Sequence, residues 1–238
     1  MKWLILILLP LFLVAKEPFF TFFEPPKDWV LSDPSKLEEG VKVAFVASKK
    51  RMFTPSLSLT LEKIGTASIE TYTKALEKIY QSDRFQKLGT FHTNIGLAHL
   101  FQIDLKSTWG EVRVLQAITL HKGYAIIQTG SCLKKEFLTL HQTYLDTFKS
   151  LDAKPSLLET CNDPALKKLL DSTTKSWNQF CKTAHGEKQT LFLSNFFQTN
   201  HWKPFADYIE KKLDYKGACW QFLAIKHIQE TLLTENEI

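Results

Sequence analysis

Glycine and proline are scarce, nine of each in 238 residues, and so few cannot build a collagen repeat or a low-complexity tract. Four cysteines fall short of a dense disulfide framework, and a chain of this length buries a core without one. No sign of charge dominates: 30 Lys and Arg stand against 25 Asp and Glu. The one basic cluster, Lys49, Lys50 and Arg51, reads as a solvated turn. Nucleic-acid binding calls for a longer basic stripe with planar side chains to stack bases, so nucleic acid is not an expected partner. The strings of P-loop nucleotide binding, the serine-hydrolase elbow, the H-E-x-x-H metalloproteases and the EF-hand are all missing, which withdraws support from those four chemistries. Length alone leaves one large domain or two smaller ones open, since a typical domain has about 150 residues.

One long apolar run is present. Lys2 precedes Trp3 to Val14, which stops at Ala15 before Lys16 and Glu17. A charged start, an apolar centre and a small residue at the end make a signal peptide. The run contains Pro10 and is well short of the roughly 20 residues that cross a bilayer. No cysteine near Ala15 offers a lipid attachment site. The expected address is therefore outside the inner membrane, periplasmic or secreted, with membrane contact only through the transient signal peptide.

From Phe19 to about Leu151 the chain reads as strands with two helices. Val41 to Val46, Ser56 to Ile64, Gly96 to Leu105, Val112 to His121 and Tyr124 to Thr129 are rich in β-branched and aromatic residues and bounded by turn residues. Lys122-Gly123 predicts a tight hairpin, and the sheet is expected to be largely antiparallel. Phe19, Phe20, Phe22 and Phe23 read as an opening strand docked in that sheet, or as an aromatic cluster seated on a partner or membrane. Ser68 caps a helix carrying Ile69, Tyr72, Leu76, Ile79 and Tyr80, and a second helix after Cys132 carries Leu133, Phe137, Leu140, Tyr144 and Phe148.

After Lys154-Pro155 every apolar pattern has helical period. Asp163-Pro164 is an N-cap with proline in the first turn, and Leu166, Leu169, Leu170, Trp177, Phe180 and Cys181 share one seam up to Gly186. Trp202, Phe205, Ile209 and Leu213 repeat the spacing, and a last helix begins at about Gly217. The aromatic content of this region exceeds what a short helical set needs to cover itself. That makes Trp202, Phe196, Phe197 and Trp220 candidates for a partner surface, with packing against the sheet as the alternative.

Three constellations bear on chemistry. Gly130-Ser131-Cys132-Leu133 places a thiol where a strand turns into a helix, and a helix N-terminus favours the thiolate. Cys132 is thus the candidate nucleophile, although the sequence puts neither His99 nor His121 beside it. Cys181 and His185 have metal-ligand spacing that His201 and Cys219 would complete, against a reading as a core cysteine and a histidine at a helix C-terminus. The even cysteine count allows disulfides. Cys161 and Cys181 are too far apart on one continuous helix, which leaves Cys181 and Cys219 as the better pair because both face apolar seams.

Phe22-Phe23-Glu24-Pro25-Pro26-Lys27-Asp28-Trp29, Phe53-Thr54-Pro55-Ser56-Leu57-Ser58-Leu59-Thr60, the Gly-bounded strands Gly96 to Leu105 and Gly110 to His121, and Gly123 to Gly130 running into a helix resemble the PsbP/Mog1-like superfamily over residues 19 to 151. The resemblance implies an α+β fold, an α/β/α sandwich around an antiparallel sheet, here followed by an all-helical C-terminal extension. It implies adaptors, assembly factors or extrinsic subunits in place of enzymes, and it carries no site residues to this chain. The expected organisation is a signal peptide over 1–15, a sheet domain over 16–152 and a helical module over 153–238. The expected function is an exported, non-enzymatic binding, adaptor or assembly protein with a protein partner and no cofactor; the alternative is a cysteine-dependent enzyme centred on Cys132.

Overall fold

The computed structural model describes residues 18–49, 51–80 and 84–234. The signal-peptide segment 1–15 and Lys50 of the basic cluster lie outside the described residues.

Among the described residues there are nine strands: β1 (Phe20–Phe22), β2 (Trp29–Leu31), β3 (Val41–Ala47), β4 (Ser56–Lys63), β5 (Phe85–Thr93), β6 (Gly96–Ser107), β7 (Gly110–His121), β8 (Tyr124–Leu133) and β9 (Asp152–Lys154). Seven form one sheet in the order β2-β3-β4-β8-β7-β6-β5, with every neighbouring pair antiparallel. The expected hairpin is there: Lys122 and Gly123 both have positive φ, 47° and 79°, the conformation whose twist matches the strands it joins.

Helix α1 (Ile69–Tyr80) lies on one face of the sheet. The hydroxyl of Ser68 accepts from the backbone N–H of Thr71, as the cap reading requires. Beneath it Leu76 packs with Phe85, Phe101, Ile103, Ile118, Ala125 and Ile127. The opposite face, with Val43, Phe45, Leu57, Leu59, Leu115, Ala117, Tyr124 and Ile126, receives α2 (Phe137–Lys149) through Tyr144 and Phe148. Alternate residues of β7 and β8 thus feed two separate cores, as the period of two demands.

The C-terminal part comprises α3 (Pro164–Thr183), α4 (Lys188–Phe192), α5 (Asn195–Phe197), a π-helical turn at Gln198–Trp202, α6 (Lys203–Lys212) and α7 (Ala218–Thr234). The Asp163 carboxylate accepts from the N–H groups of Ala165 and Leu166, which fixes the start of α3 where the Asp-Pro pair placed it. Trp177, Phe197, Phe205, Ile209, Trp220 and Leu232 belong to the same hydrophobic cluster as the α2 face of the sheet, so one core crosses residue 152 without interruption.

The opening aromatic segment departs from expectation. β1 does not enter the seven-stranded sheet; it pairs with β9 in a separate ribbon, with Thr21 opposite Ala153. Its Phe20 ring meets Trp220 and His227 of α7, with centroids 6.0 and 5.6 Å away. Residues 152–154 satisfy the backbone of β1, while the sheet ends on β2 and β5. Strand β5 was not expected either, because among its nine residues only Phe85 is buried.

Candidate functional site

Cys132 belongs to a strand. β8 runs on to Leu133, a turn of 3-10 helix at Lys134–Glu136 follows, and α2 begins only at Phe137. The expectation of a thiol at a helix N-terminus is therefore corrected, and with it goes the dipole that would have favoured the thiolate. The side chain is fully buried beneath α2, and burial pushes the thiol up; the charge of Glu136 acts in the same direction. His99 is on the α1 face, within electrostatic reach of Glu70, so the sheet separates it from Cys132. His121 lies eight residues along β7 from Arg113, the residue paired with Cys132, a distance of about 26 Å at 3.3 Å per residue. Neither histidine reaches this sulfur; the side chain hydrogen-bonded to it is Tyr144, whose hydroxyl burial keeps protonated.

The charges around Cys132 are engaged with one another. Arg113 Nε and Nη2 each donate to a different oxygen of Asp104 at 2.8 Å, and the guanidinium sits 4.9 Å from the Phe137 ring centroid. Lys134 Nζ reaches Asp104 at 3.2 Å and Glu111 at 3.1 Å, while Arg51 donates to Glu136 at 2.9 Å. Hydrogen bonds from Arg113 hold the Asp104 carboxyl below the usual carboxylate range. Together these contacts brace β6, β7 and the start of α2 against the β3–β4 loop.

The metal candidates are scattered. Cys219 is buried at the start of α7, its thiol pushed up to about 12 by burial. His201 rests between the rings of Phe196 and Phe197, each 5.7 Å away, and His185 is exposed beyond the end of α3. Among the described residues no three His, Cys, Asp or Glu side chains gather as a metal site. The Cys181–Cys219 pairing is also corrected, since all four cysteines are thiols. Trp177 Nε1 donates to the Leu232 carbonyl at 2.7 Å, which places the second half of α3 beside the end of α7. Cys219 lies thirteen residues earlier on α7, about 20 Å away at 1.5 Å per residue, whereas disulfide-bonded Cα atoms lie within about 7 Å.

Of the four candidate partner-surface residues, three are core. Trp202, Phe197 and Trp220 are buried; Trp202 packs on Phe192 and Phe205, Phe197 on Trp177 and Phe180, and Trp220 Nε1 donates to Thr160 Oγ1 at 2.9 Å. Only Phe196 is exposed, at 56%.

What the surface does offer is a groove of about 1100 Å³ between α3 and α7. Leu158, Leu170 and Ile228 contribute apolar surface, and Thr174, Asn178 and Gln179 line it from α3. The two helices join through the buried Trp177–Leu232 hydrogen bond. No pattern singled this site out, because its residues come from separate stretches of chain, chiefly α3, α7 and the segment 155–158.

No protein-family model matches the chain, and no curated protein matches it in sequence. Several solved structures are similar. The cyanobacterial PsbP of Synechocystis sp. PCC 6803 shares 13% identity over 56% of this chain and 86% of its own, with a TM-score of 0.43. LpqN of Mycobacterium tuberculosis, described as involved in cell envelope biogenesis, shares 14% over 57% and 83%, with a TM-score of 0.44. The Ran-binding protein Mog1p of Saccharomyces cerevisiae shares 13% over 53% and 86%, with a TM-score of 0.37. PsbP and Mog1, whose superfamily the sequence resembles, are thus both among the similar structures. The likeness is one of fold.

Proposed function

We propose that the chain is an exported, non-enzymatic binding protein whose α3–α7 groove takes an extended segment of a protein partner. The groove itself carries this reading. Its side-chain amides and hydroxyls at Asn178, Gln179 and Thr174 suit the hydrogen-bonding backbone of an extended peptide, and Leu158, Leu170 and Ile228 suit its apolar side chains. Asp171 faces the site together with Lys175 and Lys182, so charge adds orientation to the fit. Export rests on the signal-peptide pattern of residues 1–15, and periplasmic or secreted is the matching address. Among the described residues no helix is long and apolar enough to cross a membrane.

The test is affinity recovery from intact cells with three chains. The wild-type chain and Cys132→Ser are expected to recover the same protein, and Thr174→Arg/Asn178→Arg to lose it while melting at an unchanged temperature. Alkylation of the native protein at neutral pH is expected to leave Cys132 unmodified, because a buried thiol with a raised pKa presents little thiolate. Fast modification of Cys132 together with loss of phenotype in Cys132→Ser would turn the reading toward the cysteine-dependent enzyme. Unimpaired recovery by the groove variant would rule out the groove.

A further inference from the structure

At the end of the sheet remote from Phe19 three connections come together: the β3–β4 loop, the turn between β6 and β7, and the 3-10 turn that leads into α2. The first two, and the first turn of α2 that follows the third, each expose a large apolar side chain. Met52 is 80% exposed, Trp109 52% and Leu138 81%. They do not hang on slack chain. The Phe53 ring packs on Trp109 with centroids 6.0 Å apart, which ties the first connection to the second. The Arg51–Glu136 ion pair ties the first to the third, and Lys134–Glu111 ties the third to the second. Ser107 Oγ accepts from the Trp109 N–H and donates to the Gly110 carbonyl, so the turn that carries the indole is itself fixed.

The charge among these side chains has one sign in excess. Lys49, Arg51, Lys106, Lys134 and Lys135 stand on the three connections and the strand ends beside them, against Glu111 and Glu136. Asp104 and Arg113 cancel as a bonded pair, and Lys27 cancels Asp28 in the neighbouring turn. Both remaining acids are held in ion pairs, whereas Lys49, Lys106 and Lys135 form no ion pair among the described residues and are exposed, Lys106 standing across the ladder from Glu111.

We infer that this end of the sheet docks on an anionic phospholipid surface. Apolar tips separated by lysines fit a bilayer interface better than a protein patch, which would bring its apolar atoms into one contiguous area. An indole prefers headgroup depth, where its ring is apolar and its N–H stays wet. Each lysine near a negatively charged leaflet adds electrostatic attraction that salt screens. The contact is peripheral and separate from any signal-peptide insertion, and it departs from the expectation that only the signal peptide meets the membrane. It involves no residue of the α3–α7 groove.

Sedimentation of the full chain with vesicles tests it, using phosphatidylcholine alone and phosphatidylcholine containing 30% phosphatidylglycerol. Binding is expected to be stronger to the second than to the first, and the excess to weaken as salt rises from 50 to 300 mM. Met52→Ser/Trp109→Ser and, separately, Lys106→Glu/Lys135→Glu are each expected to lower the partition coefficient at least tenfold. Both variants keep residues 1–17, so any contribution of that segment cancels in the comparison, and the charge-reversal pair alters only exposed side chains. Failure to sediment with the anionic vesicles, equal sedimentation with both, or variants that bind like the wild type would each overturn the inference.

Discussion

Asp104 stands in a run, Phe101 to Leu105, whose apolar alternation gives it no special standing, and its importance comes from register alone. The β6–β7 pairing sets Arg113 directly opposite, and the chain after β8 brings Lys134 to the same carboxylate. Its pKa is depressed in the folded state, so the stabilisation is present above the unfolded value of about 3.9 and is lost as pH falls through the folded value. Asp104→Asn is expected to cost about 1–2 kcal/mol in urea unfolding at pH 7, with the gap from wild type closing once pH drops below about 4. A wild-type advantage that persists undiminished at pH 3 would contradict this. Cross-strand partners of this kind are illegible before register is known. Cys132 shows the same limit: Gly130 and Ser131 looked like the end of a strand, yet Gly130 is placed there by packing and the strand continues.

The packing at Gly130 joins two elements. The Tyr144 ring of α2 lies so close to β8 that a Cβ at this position would meet ring carbons at 2.5–2.8 Å, and the Tyr144 hydroxyl donates to the Ser131 carbonyl at 2.7 Å. Gly130→Ala is expected to lower stability by about 1–3 kcal/mol by prising α2 from the sheet, read as a lower urea midpoint with unchanged slope. A variant as stable as wild type would mean that α2 shifts freely. Helix starts were legible at Ser68 and Asp163, and so was the seam of α3, whereas α7 buries Trp220, Leu223, Ala224 and Ile228 around Cys219 and Leu232 and was legible only as a helix. Strand β5 was not, since an exposed edge has neither alternation nor a continuous apolar run to signal it. The aromatics of the C-terminal helices were legible as apolar and misread as surplus. Nothing in a helical period says that several seams converge on one another, and that convergence is what buries Phe197, Trp202 and Trp220.

At the scale of the molecule the continuous core has a measurable consequence. Phe20 packs on Trp220, Lys42 pairs with Glu230 at 3.0 Å, and Lys226 donates to the Lys42 carbonyl at 2.9 Å, so α7 clasps both β1 and β3. Truncation after Lys154 is expected to leave no cooperative thermal transition and to bind a hydrophobic dye, because Phe20, Phe23 and Phe45 lose their cover. A truncated chain that melts cooperatively would instead assign the helices to a separable unit. The ribbon of β1 and β9 carries a further implication, about time. Thr21 bonds to Asp152, 131 residues later, and the cover over Phe20 comes later still, from Trp220. Contacts of such span form late, because the intervening chain must first be closed into a loop. A polypeptide emerging amino end first therefore holds its first strand unpaired until residues 152–154 of the 238 have appeared. The cover over its first phenylalanines is complete only when its last helix arrives.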